Sequence, residues 1–170
     1  MTSRNLPTIP PNSIQVGKSQ RNKGAAGERE VFKILNDELG LGLKRDLSQT
    51  QDGGCDFTVA NFACEIKRQE TLSLGSWWDQ TARNADQLNL IPALLYRQSR
   101  QPWRVMLPFA YISDIFWGWD TEIPLAPDWA ADFDRTATIL LQPMFTDLIR
   151  ENMSSMALAA MREKASHTTQ

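Results

Sequence analysis

The stretch from Cys55 to Lys67 constrains this chain more than any other part of it. Two short apolar runs, at about 55–60 and 62–67, flank a tight turn at Ala60-Asn61, the pattern of a β-hairpin. Phe57, Val59, Phe62 and Ile66 mark the runs as buried strands rather than a surface ribbon. A two-residue turn at Ala60-Asn61 sets Asp56 opposite Glu65, with Cβ atoms roughly 4.5–5.5 Å apart. Lys67, two residues beyond Glu65, points to the same side of the sheet. Alternation therefore puts two carboxylates and an ammonium on one patch, facing a cleft or another layer.

Two like charges directly opposite each other destabilise a hairpin unless something neutralises them. A divalent cation does this well, and Mg²⁺ (with Mn²⁺ as a substitute) takes carboxylate and carbonyl oxygens while keeping several waters. Such an ion polarises a phosphoryl oxygen and lowers the pKa of a bound water. Lys67 is placed to orient that water or to stabilise charge building on a phosphate.

A third acid comes from the preceding helix, expected over residues 24–39 and ended by Gly40. Glu28, Phe32, Leu35 and Leu39 share one helical face, with Val31 beside them. Glu30, Lys33 and Asp37 lie elsewhere and read as solvated. Glu28 thus lies on the core-facing stripe, where a carboxylate needs a partner, and it is the acid placed to complete the site.

Other chemistries are hard to build here. His167 is the only histidine and sits in a polar C-terminal stretch, which argues against a histidine-based zinc site or a Ser-His-Asp triad. Cys55 and Cys64 lack C-x-x-C spacing and read as small buried strand residues in a reducing compartment. A cytoplasmic location is expected, with no signal-peptide pattern and no apolar run approaching the ~20 residues that span a bilayer.

The net charge of −2 argues at first against a nucleic-acid partner. The distribution answers this: residues 1–70 hold ten Lys/Arg against nine Asp/Glu, whereas residues 111–170 hold four against nine. The acidic excess lies in the last third, so the first part can present a basic face.

Residues 1–22, with Pro7, Pro10, Pro11, Arg4, Lys18 and Arg21, read as a flexible basic arm. It is either an arm that tracks phosphates, with Lys23 at its end, or an ordinary frayed terminus. A short strand is expected over 43–47 and a polar loop over 48–54. A helix follows over 76–90, then strands over 92–97 and 103–108. Helix, strands, helix, strands describe an α/β domain around one central sheet. Beyond Pro108, Tyr111 to Trp119 reads as a short helix, 120–135 as loop, and 144–164 as an amphipathic helix.

The segment Lys23-Gly24-Ala-Ala-Gly27-Glu28-Arg29-Glu30-Val31, then Arg45, Asp56 and Cys64-Glu65-Ile66-Lys67, resembles the archaeal-type Holliday-junction resolvases of the PD-(D/E)XK nuclease superfamily. Leu90-Ile-Pro92-Ala-Leu-Leu-Tyr96-Arg97 and Trp103-Arg-Val are similar to that family's later paired strands. The resemblance covers residues 21–108 in the family's element order. It implies a restriction-endonuclease-like core, a central mixed sheet flanked by helices, over 23–108. Residues 109–170 are expected to form a mostly helical C-terminal extension packed on that core, which completes a dimer, covers an edge strand or recruits a partner.

The resemblance further implies metal ligands at Glu28, Asp56, Glu65 and the backbone carbonyl of Ile66, and a catalytic lysine at Lys67. Arg29 and Arg45 match phosphate-contacting positions, and the family acts as a homodimer on four-way junctions. The chain departs from the family in having Cys55 before Asp56, a longer C-terminal part, and an aromatic start to the second helix at Ser76-Trp77-Trp78-Asp79-Gln80.

Trp77 and Trp78 point about 100° apart on a helix. Either one ring is exposed to stack on a base, or both pack in a core or interface. Gln80 is placed to touch a scissile phosphate. Trp117, Trp119 and Trp129 read as the packing core of the extension. The expected activity is a metal-dependent DNA endonuclease selective for branched DNA. The alternatives are a nickase, restriction-like or repair nuclease of the same fold, or a non-catalytic DNA-binding or assembly protein.

Overall fold

The computed structural model describes residues 11–43, 54–109, 111–112 and 136–167, with side chains described from residue 22 to residue 157 within those ranges. Helix α1 spans Pro11–Leu39. The unordered arm expected through residue 22 is therefore corrected from residue 11 onward, and residues 1–10 lie outside the described residues. Proline suits the first turn of a helix, where its missing N–H is no loss. Once 24–39 is helical, Gln, Lys and Arg residues extend it backward without a second nucleation step. The helix ends as its glycine signal requires. Gly40 adopts φ +65° and donates its N–H to the Asn36 carbonyl at 2.9 Å.

The Asn36 side chain then holds the departing chain, accepting from Leu43 N at 2.6 Å and donating to Leu43 O at 2.9 Å. Residue 43 is not in a strand, and the rest of the strand expected over 43–47 lies outside the described residues, as does Arg45.

Among the described residues, five strands form one sheet in the order β1-β2-β3-β4-β5. They are β1 (Phe57–Val59), β2 (Phe62–Arg68), β3 (Ile91–Arg97), β4 (Arg104–Pro108) and β5 (Thr136–Leu140). The β1–β2 hairpin turns at Ala60-Asn61, with Ala60 at φ +51° and Val59 paired to Phe62. β2 and β3 are parallel and joined by α2 (Leu74–Leu88), while β3–β4 and β4–β5 are antiparallel. The result is the mixed sheet with flanking helices expected of a restriction-endonuclease-like α/β fold.

The last third is not simply a helical addition. Thr136–Leu140, rich in β-branched residues that favour strands, pairs along β4 from Pro108↔Thr136 to Arg104↔Leu140. Gln142 then breaks from helical backbone (φ −119°, ψ 134°), and α3 runs over Thr146–His167. Leu141, Phe145, Leu148 and Ile149 enter the same apolar core as Val31, Phe32 and Leu35 of α1. Tyr111 and Ile112 are helical, while residues 113–120, with Trp117 and Trp119, and Trp129 lie outside the described residues.

Strand alternation divides the core. Phe62, Cys64, Ile66, Ala93, Leu95, Val105 and Leu107 pack with α1 and α3. Leu94, Tyr96 and Met106 pack with Trp77 and Trp78 of α2, and Ala63 with Ala85. Cys55 and Cys64 are buried free thiols. No helix among the described residues is long and apolar enough to cross a membrane.

Candidate active site

The site follows from the unequal lengths of two paired strands. β1 covers only Phe62 to Cys64 of its neighbour, so among the described residues the second half of β2 has no strand on that side. Asp56 lies just past the end of β1. Its N–H donates to Cys64 O at 3.0 Å, and its Oδ2 accepts the Ile66 N–H at 2.6 Å. One carboxylate oxygen thus replaces the missing ladder bond and holds Asp56 beside Glu65. In an extended strand the N–H and C=O of one residue point to the same edge, so the Ile66 carbonyl looks toward this open side as well.

Glu65 and Lys67 share the α2 face of β2. Glu65 is 4% exposed, and its Oε1 accepts from Lys67 Nζ at 2.7 Å. Gln80 comes down from α2, accepting from Lys67 Nζ at 3.3 Å and donating to Glu65 Oε1 at 3.5 Å. Glu65 Oε2 is buried and has no hydrogen-bond partner among the described residues. Burial pushes the Glu65 carboxyl above its ordinary value; Asp56 pushes it further, Lys67 pulls it back, and Glu28 adds a smaller upward push.

Glu28 reaches this group because α1 crosses β2 closely. A Cβ at Gly27 would meet Arg68 Cβ at 3.1 Å and Trp103 Cη2 at 3.4 Å, so glycine permits the approach. Glu28, Asp56, Glu65, Ile66, Lys67 and Gln80 line one cleft of about 540 Å³, with Lys23, Arg68 and Glu70 extending its wall. Lys23 Nζ pairs with Glu70 Oε1 at 3.3 Å, and Ser99 also donates to Glu70. That exposed contact ties α1 to the loop after β2.

A family model described as "Phage putative PDDEXK endonuclease" matches residues 19–125. The chain belongs to this PDDEXK endonuclease family. The match contains Glu28, Asp56, Glu65 and Lys67 in the order that the fold assembles them. Protein D14 of Escherichia phage T5 is 27% identical over 114 residues, covering 51% of this chain and 69% of its own length. No solved structure matches the chain. The family is one of nucleases, whose substrate is DNA and which typically work with divalent metal ions.

The residues in this PDDEXK cleft fit such an ion in kind. The donors are hard oxygens, and the unpartnered Glu65 Oε2 is a buried acceptor that a cation would satisfy. Among the described residues, no three acid, histidine or cysteine side chains already converge as a preformed ligand group. Lys67 and Gln80 occupy Glu65 Oε1, and the Ile66 amide occupies Asp56 Oδ2.

The sequence-expected residues divide clearly. Glu28, Asp56, Glu65, Ile66, Lys67, Gln80 and Lys23 meet at the cleft. Arg29 is exposed and is not among its lining residues, and Arg45 lies outside the described residues. Of the two readings of Trp77 and Trp78, the packed one holds: both are buried, at 8% and 0% exposed, because the stretch faces Leu94, Tyr96 and Met106 of the sheet.

Glu30, expected to be solvated, is corrected. It accepts from Arg97 Nη1 at 2.6 Å and lies 3.8 Å from Arg68 Nη1. The Gly27 contact with Arg68 and Trp103 and the Glu30 ion pairs were not foreseen. The small-residue run Gly24-Ala-Ala-Gly27 on an amphipathic helix is the signal that marks a close approach.

Proposed function

We propose that this chain is a Mg²⁺-dependent DNA endonuclease that prefers branched DNA. In this reading Glu28, Asp56, Glu65 and the carbonyl of Ile66 hold the ion, with Mn²⁺ as a substitute. The observation that carries the metal site is the buried Glu65 carboxylate, with Oε2 unpartnered, in one cleft with Asp56, Glu28 and Lys67. A bound ion supplies Lewis-acid polarisation of the phosphate and neutralises its charge. Lys67 offers N–H donors to charge developing on the phosphate, and its ammonium also donates to Gln80 Oε1 at 3.3 Å. Asp56 and Glu65 hold their positions through the Ile66 amide and the Lys67 ammonium. Lys23 is the phosphate-contacting candidate at the cleft wall, and the resemblance adds Arg29 and Arg45 as further candidates.

The preference for branched DNA, and a homodimer that cuts two strands, rest on the resemblance of residues 21–108 to junction resolvases. The measurement is cleavage of end-labelled four-way junction, flap and linear duplex in Mg²⁺, alongside Lys67→Ala. Faster junction cleavage that is lost in Lys67→Ala supports the reading. Equal cleavage of all three substrates would leave a nickase, restriction-like or repair nuclease. Identical behaviour of wild type and Lys67→Ala would place the chemistry elsewhere.

A further inference from the structure

We propose that Glu30 is a positioning residue: clamped by Arg97 and Arg68, it sets the roll of α1 on the sheet and so aims Glu28 into the cleft. The inference rests on the metal-dependent reading above and adds to it a residue that does not touch the ion.

Arg68 and Arg97 are register partners at the ends of two adjacent parallel strands, β2 and β3. Glu30 spans them, with Oε1 at 2.6 Å from Arg97 Nη1 and Oε2 at 3.8 Å from Arg68 Nη1. The Arg97 side chain is 15% exposed, and its Cζ lies 5.1 Å from the centre of the Trp103 ring. The Nε atoms of both arginines are buried without a hydrogen-bond partner among the described residues. Among the described residues, Glu30 and the Trp103 face are the contacts that orient the Arg97 guanidinium, and a partly buried contact of this kind is little screened by salt.

A second contact lies one turn away. Gly27 is three residues before Glu30, so the two occupy neighbouring places on one flank of the helix. Gly27 meets the same Arg68 and Trp103 side chains that surround the clamp. One flank of α1 is thus fixed at two heights, by contact at Gly27 and by charge at Glu30. Glu28 projects about 200° around the helix from Glu30. A carboxylate carried about 6 Å from the helix axis moves roughly 1 Å for each 10° of roll. Mg²⁺ accepts oxygens only near 2.0–2.1 Å, so a small roll decides whether Glu28 belongs to the site.

The ion pair Lys33–Asp37 on the same helix is exposed and joins two residues of α1 alone. It serves as a control that alters helix charge without altering helix roll.

The test uses the full chain and Mn²⁺ binding, followed by the electron paramagnetic resonance signal of the free ion. Glu30→Gln is expected to weaken Mn²⁺ binding roughly tenfold, the lower range for residues that orient metal ligands. In a Glu28→Gln background the same change is expected to cost less than about twofold, because an effect transmitted through Glu28 has nothing left to act on. Asp37→Ala is expected to leave binding unchanged. Arg97→Gln opens the clamp from the strand side, is expected to repeat the pattern, and serves where Glu30→Gln does not fold. An equal loss in both backgrounds, or no loss in either, overturns the role of Glu30. A wild-type chain that binds Mn²⁺ no better than Asp56→Asn overturns the metal-dependent reading itself, an outcome separate from the other two.

Discussion

Lys67 Nζ stands 2.7 Å from Glu65 Oε1, two residues apart on one face of β2, and Gln80 reaches both from α2. The ammonium is the charge partner of a carboxylate that is almost completely buried. Its removal strips the cleft of a donor and leaves Glu65 to be neutralised by protonation. Lys67→Ala is expected to lower DNA cleavage by about 100-fold or more while the chain stays folded. Single-turnover cleavage and far-ultraviolet circular dichroism check the two halves of that expectation.

Glu65→Gln separates ion binding from folding. In the wild type, Mn²⁺ or Mg²⁺ at about 100 times its dissociation constant is expected to stabilise the fold by about 2.7 kcal/mol. A chelator is expected to abolish that increment. Glu65→Gln removes a buried charge that lacks a partner at Oε2, so the ion-free protein should melt at the same temperature or higher. Its increment with added ion should vanish. Thermal melts with and without ion decide this, and a retained increment would place the ion away from Glu65.

Two glycines of α1 are expected to respond in opposite directions. Nothing lies within 4 Å of a Cβ built at Gly24, whereas one at Gly27 meets Arg68 Cβ at 3.1 Å. Gly24→Ala should stabilise by about 0.5–1 kcal/mol through helix propensity and a less flexible unfolded chain. Gly27→Val should destabilise by about 1–3 kcal/mol through overpacking and should weaken metal binding by lifting Glu28 from the cleft. Urea unfolding of the two variants measures the contrast.

Trp78 is fully buried against Leu94, Tyr96 and Met106. Trp78→Ala is expected to cost about 3–5 kcal/mol of stability. Trp77→Ala should act in the same direction, and neither change should alter affinity for single-stranded DNA under conditions where the variant remains folded. A variant that kept its stability and lost that affinity would restore the stacking role.

Much of the candidate site's arrangement was legible because its determinants are local. The turn at Ala60-Asn61 sets the hairpin register, and the observed pairs Phe57↔Cys64 and Val59↔Phe62 follow it. Alternation then puts Glu65 and Lys67 on one side, and helical phase separates Glu28 from Glu30. The early end of β1 was not legible. Asp56 does not sit in a ladder pair with Glu65 but beside it, with its carboxylate on the Ile66 amide. Strand β5 was missed because Thr136–Leu140 is half exposed and carries no strong period of its own; it is a strand because β4 offers an edge. The helical start at Pro11 was missed because polar composition reads as disorder when the helix that propagates into it is not considered.

The β1–β2 hairpin marks the boundary between the two. By itself the sequence determined which residues share a face and which carry the charge, since strand and helix periods depend only on neighbouring positions. Tertiary structure alone decided that Glu30 is an ion-pair partner of Arg97 rather than a solvated acid, that both adjacent tryptophans are buried, and that α1 lies close enough at Gly27 for Glu28 to join Glu65. Those outcomes depend on distances between segments far apart in the chain, and such distances are set by how whole elements pack rather than by the pattern within any one of them.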